Sequence, residues 1–218
     1  MAFIECVPDA EISADVQAMY ARQQSFWGFV PNYARVFSHR PEVMGLWAQL
    51  QVGIRRHMDK RRFELVTFAA SQALRSTLCS LAHGKTLTTW FSEDDVIAIA
   101  RGEAPASLSA AEAAMLAYSR KVARDANSVT ARDVEALRHD FTDAEIFDIA
   151  AVAAARAFWT KLNESLGVEA EPSLRDMRRE LRDALVVGRP LDSAEWPGSM
   201  PADAIRDARQ PPVELGAR

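Results

Sequence analysis

The feature that most constrains the fold is a helix-start signal that recurs through the middle of the chain, between residues 92 and 145. A serine or threonine is followed three residues later by an acidic residue at Ser92/Asp95, Ser109/Glu112, Thr130/Asp133 and Thr142/Glu145. In such a pair the hydroxyl accepts a hydrogen bond from a backbone N–H of the first helical turn, which that turn cannot satisfy internally. The sequence therefore predicts a separate helix beginning at each of these four points.

Other local signals extend the helical pattern over most of the chain. Ser13 is expected to cap a first helix, Pro31 and Pro41 to begin two more, and Gly167 to end a last helix over about 143–166. No asparagine-glycine hairpin and no alternating valine-isoleucine run occurs. We therefore predict an all-α architecture of about nine helices.

The length and hydrophobic content suit one compact domain with an extension. The chain has 218 residues, of which 49% are hydrophobic, and this is enough for a substantial core. We assign residues 1–170 to the helical domain and residues 171–218 to a charged helix and a proline-rich tail. The tail cannot build its own core. It is either disordered or docks Leu191, Trp196 and Ile205 on a neighbouring subunit.

Charge and cysteine content exclude several classes of function. A formal net charge of −4 argues against a general grip on nucleic acid or an anionic membrane, and the basic run at 57–62 is expected to be solvated. No signal peptide or apolar stretch of about 20 residues is present. The two cysteines, Cys6 and Cys79, are too few for a disulfide framework. We expect a soluble cytoplasmic protein.

The stretch from Glu64 to His83 gathers a carboxylate, a thiol and an imidazole around one interruption in the helical pattern. If Ser76 caps a new helix, Cys79 lies in its first turn and His83 lies four residues later on the same face. A helix N-terminus favours the reactive thiolate form of cysteine. Glu64 would lie roughly 22 Å from Cys79 on one straight helix, so it joins them only if the chain folds back at the break.

Each of these residues also has a structural interpretation. Cys79 could be an inert buried thiol and His83 a structural imidazole, while Ser76 is accounted for by the helix cap, although a catalytic role stays open. Glu64 could be solvated, but its apolar context favours partial burial and a raised pKa suited to proton transfer. Cys79 and His83 are too few ligands for a structural zinc site, and Glu64 would complete three ligands only in a suitable geometry, so no cofactor or metal is predicted.

The pattern Glu64, then Ser76-x-x-Cys79-x-x-x-His83, resembles the active-site signature of the alkylhydroperoxidase D-like, or carboxymuconolactone decarboxylase-like, family. The segment PNYARVFSHRPEVMGLWAQLQVGIRRHMDKRRFELV resembles its peroxidase-related branch, and the resemblance covers about residues 10–170. It implies a helical bundle of that type, homo-oligomers such as trimers or hexamers, and an antioxidant peroxidase activity in which the glutamate and histidine relay protons.

Ser76 departs from the family's Cys-x-x-Cys, so a disulfide within the motif is impossible. Cys79, His83 and Glu64 match the second cysteine, the histidine and the glutamate of the signature.

Three functions remain open. The first is an enzyme: a thiol-dependent oxidoreductase that reduces a hydroperoxide through Cys79 and is regenerated by an external thiol or, less favourably, by Cys6. The second is a non-redox lyase, decarboxylase or isomerase acting on a small carboxylate or carbonyl compound. The third is a non-catalytic oligomeric binding protein, which an inaccessible Cys79 and a buried, salt-bridged Glu64 would favour.

Overall fold

The computed structural model describes residues 2–191. This part of the chain forms ten α-helices: α1 (Ala14–Trp27), α2 (Asn32–Val36), α3 (Pro41–Arg55), α4 (Lys60–Ala73), α5 (Thr77–Leu87), α6 (Glu93–Ala100), α7 (Ala110–Arg124), α8 (Ala131–Leu137), α9 (Asp143–Ser165) and α10 (Arg179–Leu185). One short 3-10 helix precedes α1, at Asp9–Glu11, and three lie between α-helices, at Phe37–His39, Ala126–Ser128 and Pro172–Leu174. No strand forms in residues 2–191, so the predicted all-α class is confirmed.

The helix boundaries follow the local signals. The predicted capping boxes form at Ser109, Thr130 and Thr142, where the acidic residue three positions later hydrogen-bonds back to the cap. Ser92 accepts a hydrogen bond from the backbone N–H of Asp95 at 3.1 Å. Gly167 takes the left-handed conformation after α9, with a φ of 70°, which glycine adopts without steric cost. Capping hydrogen bonds and backbone angles within a few residues of each boundary therefore account for its position.

Helix α4 lies at the centre of the bundle and packs against α5, α7 and α9. Every residue from Phe63 to Ser71 is buried, and Leu65, Val66, Phe68, Ala69 and Ala70 have no exposed surface. A helix whose side chains are buried on every face lies in the interior of the protein. Because Glu64 is part of this helix, its carboxylate is carried into the core.

The basic run at 57–62 differs from the solvated joint expected from the sequence. Asp59 caps α4, so the helix begins at Lys60, before Glu64. Arg61 pairs with Glu112 of α7 at 2.7 Å, and Arg62 pairs with Glu145 of α9 at 3.0 Å. The run therefore ties the start of α4 to two neighbouring helices.

A second apolar cluster joins α1, the 3-10 helix Phe37–His39, α3, α5 and α9. The Trp159 ring stacks on Phe37 at 5.3 Å and on Trp47 at 5.1 Å, measured between ring centroids. We call this group the thiol cluster because its buried members include a cysteine: Val16, Met19, Phe37, Met44, Trp47, Cys79 and Trp159.

The segment after residue 171 covers the core of its own chain. Leu174, Leu181 and Leu185 are buried in the main core, and Leu191 packs against it. Trp196 and Ile205, the other predicted docking residues, lie outside the described residues. None of the helices formed by residues 2–191 combines the length and apolar character needed to cross a bilayer.

Candidate functional site

The predicted helix break occurs at Arg75 and Ser76. Arg75 has a φ of 56°, a left-handed conformation that reverses the chain between α4 and α5. Ser76 then caps α5, because its Oγ accepts the N–H of Cys79 at 3.3 Å. The same hydroxyl donates to Oε1 of Glu164 on α9 at 2.7 Å. Ser76 is fully buried, and these two bonds account for its side chain.

The fold-back brings Glu64 and His83 together. Nδ1 of His83 lies 2.6 Å from Oε2 of Glu64, and the two side chains keep only 18% and 9% of their surface exposed. The predicted reversal between α4 and α5 therefore brings Glu64 to His83. An ionised carboxylate only accepts hydrogen bonds, so Nδ1 carries the proton and donates it.

The charge state of this pair differs from the expectation. Burial opposes ionisation of Glu64, yet the hydrogen-bonded His83 and the nearby charge of Arg156 hold the pKa of its carboxyl below the usual value. The prediction that burial would leave Glu64 with a raised pKa is therefore wrong. Burial lowers the pKa of His83, with Arg156 and Arg55 adding to that effect. The pair is a carboxylate beside a neutral imidazole, which leaves Nε2 available as a base.

Cys79 occupies the first turn of α5 and is only 3% exposed. Nη1 of Arg156 lies 3.8 Å from its sulfur, and Oγ1 of Thr160 lies 3.7 Å from it. Both groups are hydrogen-bond donors. The remaining surroundings of the thiol are the apolar and aromatic side chains of the thiol cluster.

Arg156 and Thr160 were not predicted as site residues. They lie one turn apart on α9, so both present to the same neighbour. A signal was available: Arg156 interrupts the run IAAVAAARAFW, in which the other side chains are apolar. Helical spacing identifies such an arginine as buried, but it does not show what the guanidinium contacts.

The residues present do not define a metal centre. In the described part of the chain, no group of three or more histidine, cysteine, aspartate or glutamate side chains is close enough to hold a metal ion. Cys6 and Cys79 are both free thiols. Cys6 is partly buried against the main core, whereas Cys79 belongs to the thiol cluster.

The C-terminal segment closes over the start of α5. The N–H of Gly188 donates to Oγ1 of Thr77 at 3.1 Å, and Nε of Arg75 donates to the carbonyl of Val187 at 3.1 Å. A Cβ on Gly188 would lie 1.8 Å from the carbonyl oxygen of Arg75, so only glycine fits this contact. A cavity of about 20 Å³ remains beside it, between Glu164, Glu169 and Arg189. That volume is close to the space of one water molecule.

These features define an all-α protein with a buried thiol and a carboxylate–imidazole pair on adjacent helices. Residues 41–121 match the model of the Carboxymuconolactone decarboxylase family. No curated protein sequence matches the chain.

Solved structures share the fold. An uncharacterized peroxidase-related protein with the alkylhydroperoxidase AhpD core, from Ralstonia eutropha JMP134, aligns with a TM-score of 0.67 and 24% identity, over 86% of this chain and 98% of that one. A peroxidase-related protein from Silicibacter sp. TM1040 aligns with a TM-score of 0.66 and 20% identity, over 79% and 95%. The debrominase Bmp8 aligns with a TM-score of 0.67 and 16% identity, over 83% and 96%.

The resemblance stated from the sequence is confirmed. Residues 41–121 are similar to the carboxymuconolactone decarboxylase family, and the chain has the alkylhydroperoxidase D-like fold.

Proposed function

We propose that this protein is a thiol-dependent oxidoreductase that reduces a hydroperoxide, with Cys79 as the reactive thiol and Glu64 and His83 as its proton relay. One observation carries the proposal. A buried thiol lies one helical turn before an imidazole that a buried carboxylate contacts at 2.6 Å, and burial of this imidazole lowers its pKa and favours the neutral form. Nucleophilic cysteine chemistry uses a base near the thiol, and the spacing of Cys79 and His83 on α5 places such a base one helical turn away.

The chemistry proceeds in two stages. His83 takes the proton of Cys79, and the resulting thiolate attacks the terminal oxygen of the hydroperoxide. An S–O bond forms while the O–O bond breaks, so the sulfur is oxidised to sulfenic acid and the peroxide is reduced to an alcohol. The proton held by His83 passes to the departing alkoxide.

Regeneration of Cys79 needs a second thiol. Ser76 cannot form a disulfide, and its hydroxyl is already engaged with Glu164 and the α5 backbone. Cys6 packs in a different apolar cluster from Cys79. We therefore propose an external thiol reductant. Two equivalents of it would return the sulfenic acid to the thiol, releasing water and a disulfide.

The test is direct detection of the sulfenic acid. Wild-type protein is treated with a small organic hydroperoxide and a sulfenate-specific probe, and the labelled residue is located by mass spectrometry. Cys79 should be labelled in the wild type and in Cys6→Ser, and labelling should disappear in Cys79→Ser. An unlabelled Cys79, under conditions that oxidise the same thiol in denatured protein, would refute the proposal.

A second candidate is the non-redox lyase, decarboxylase or isomerase. The observation that favours it is the Glu64–His83 pair itself, because an ionised carboxylate and a neutral imidazole can exchange protons with a substrate without a thiol. The fold also serves a protein named for a different reaction, the debrominase Bmp8. Activity that survives in Cys79→Ser but is lost in His83→Gln would support this candidate over the first.

The third candidate, a non-catalytic binding protein, has support from burial. Cys79 is 3% exposed and Glu64 is buried against His83, as expected for a site without turnover. A thiol that resists both peroxide and alkylating reagents in the folded protein would favour this candidate.

We also propose that the protein forms a homo-oligomer. Leu46 and Leu50 of α3 are 65% and 49% exposed, and Phe158 of α9, whose ring contacts Trp47, is 48% exposed. Contiguous exposed apolar side chains are typical of subunit interfaces. Sizing by light scattering should give a trimer or hexamer for the wild type and a smaller species for Leu46→Glu. A monomeric wild type would refute this proposal.

A further inference from the structure

Arg156 is a buried cation without an acidic partner within residues 2–191. Its side chain comes from the middle of α9 and is only 7% exposed. Among residues 2–191 it forms no ion pair with a carboxylate, and its Nε has no hydrogen-bond acceptor there. Burying a charged group or an unpaired donor has a substantial free-energy cost. A buried, incompletely satisfied guanidinium therefore points to a role beyond packing.

The contacts of Arg156 indicate where that role lies. Nη1 is 3.8 Å from the sulfur of Cys79. The same sulfur accepts a hydrogen bond from Oγ1 of Thr160 at 3.7 Å. The charge of Arg156 also acts on both Glu64 and His83. The guanidinium of Arg156 therefore acts on the thiol of Cys79 and on the Glu64–His83 pair. It does so from α9, whereas the other three residues lie on α4 and α5.

We propose that Arg156 is a catalytic residue of this site, which holds negative charge first on the sulfur of Cys79 and then on the oxygen released from the substrate. Nη1 donates to the sulfur, with Thr160 as the second donor, and the unpartnered Nε–H is the donor for the oxygen. The inference rests on the proposed function, because the oxygen in question comes from the hydroperoxide.

The charges of the buried groups fit this role. The Glu64 carboxylate and the Arg156 guanidinium cancel, so transfer of the Cys79 proton to His83 separates charge without changing the net charge of the site. The thiolate then lies beside the guanidinium of Arg156 and one helical turn from the imidazolium of His83. After the O–O bond breaks, the alkoxide is held by Arg156 until the imidazolium returns its proton, and the site is neutral again. Preorganised donors of this kind stabilise charge most effectively where water is excluded.

The experiment compares Arg156→Met, Arg156→Lys and Thr160→Val with the wild type. Lys161→Met is the matched control, because it also replaces a basic residue of α9 with methionine, but Lys161, which follows Thr160, is exposed. Two rates are measured at pH 7: alkylation of Cys79 by iodoacetamide and formation of the sulfenic acid with an organic hydroperoxide. The titration of His83 is followed by NMR as a readout independent of activity.

We expect Arg156→Met to lower both rates by about 10- to 100-fold, the range that a charge-assisted donor supplies. Arg156→Lys should retain part of the rate, because it keeps the charge but lacks the separate Nε–H donor for the oxygen. The pKa of His83 should rise in Arg156→Met, since a repelling cation is removed. His83 also faces Glu64 and Arg55, which are unchanged in all variants. The control should match the wild type in every measurement.

Wild-type rates and an unmoved His83 titration in Arg156→Met would overturn the inference. If that variant does not fold, Arg156→Lys and Thr160→Val decide, and wild-type rates in both would overturn it. Failure of the proposed function is distinguishable. In that case wild-type Cys79 forms no sulfenic acid, while the alkylation rate and the His83 titration still report whether Arg156 acts on the thiol.

Discussion

Glu171 makes the stability of this protein depend on pH in a direction opposite to that of an ordinary surface carboxylate. Its Oε1 accepts the backbone N–H of Asn32, the first residue of α2, at 2.5 Å, and the side chain of Asn32 donates to the carbonyl of Glu169 at 3.3 Å. Burial raises the pKa of Glu171 from 4.5 to about 7, against the smaller opposing effects of this hydrogen bond and Arg35. The folded state therefore prefers the protonated side chain.

The sign and size of this pH dependence follow from the difference between the pKa of Glu171 in the folded and in the unfolded protein. Below pH 4.5 the side chain is protonated in the folded and the unfolded protein. As the pH rises towards 7, the unfolded chain loses its proton first, so the free energy of unfolding falls. A difference between pKa values of 4.5 and about 7 corresponds to a total loss of at most about 3 kcal/mol. Above pH 7 the contribution of Glu171 stays constant.

Glu171→Gln removes this titration while keeping an oxygen that can accept the N–H of Asn32. Urea unfolding of the variant and the wild type at a fixed protein concentration should show the variant gaining about 2.5 kcal/mol relative to the wild type between pH 5 and pH 8. In thermal unfolding this corresponds to roughly 5–10 °C. Glu103→Gln, which changes an exposed carboxylate in the loop after α6, is the control.

Subtracting the wild type cancels every other group that titrates in this range, provided that the substitution leaves the fold unchanged. A stability difference that does not vary with pH would refute the reasoning. A variant that gains stability at pH 5 rather than at pH 8 would refute it as well.

Two further predictions concern the start of α5. Ser76→Ala removes the helix cap and leaves Glu164 without its hydroxyl donor, so we expect a loss of about 1–3 kcal/mol in urea unfolding; a loss below 0.5 kcal/mol would contradict the role of the cap. Gly188→Ala places a methyl group against the carbonyl of Arg75 and should cost about 1–3 kcal/mol as the C-terminal segment shifts. Gly45→Ala is the control for Gly188→Ala, because nothing lies within 4 Å of that position, and it should stabilise α3. Equal effects of the two alanine substitutions would contradict the steric argument.

Local chemistry determined most of the fold. The capping pairs at Ser109, Thr130 and Thr142 act over three residues, and Gly167 ends α9 through its own φ angle. Such signals can be recognised in the sequence because their partners are a few residues apart. The basic run at 57–62 was the exception, since its ion pairs depend on which helices pack beside α4.

In the candidate site, too, some features follow from local sequence signals and others depend on how the helices pack. The break at Ser76 placed Cys79 and His83 one turn apart on a new helix, and reversal of the chain there brought Glu64 to His83. All of this depends on one short stretch. The sequence by itself therefore determined the fold class, the resemblance to the carboxymuconolactone decarboxylase family over residues 41–121 and the pairing of α4 with α5.

Only the tertiary structure decided the electrostatics. The approach of Arg156 to Cys79 joins residues 77 positions apart, and the bond between Glu171 and Asn32 joins residues 139 positions apart. A pKa depends on burial and on every charge nearby, so the direction for Glu64 could not be obtained from its apolar sequence context alone. The physical reason is that capping acts between near neighbours along the chain, whereas desolvation and charge act between neighbours in space.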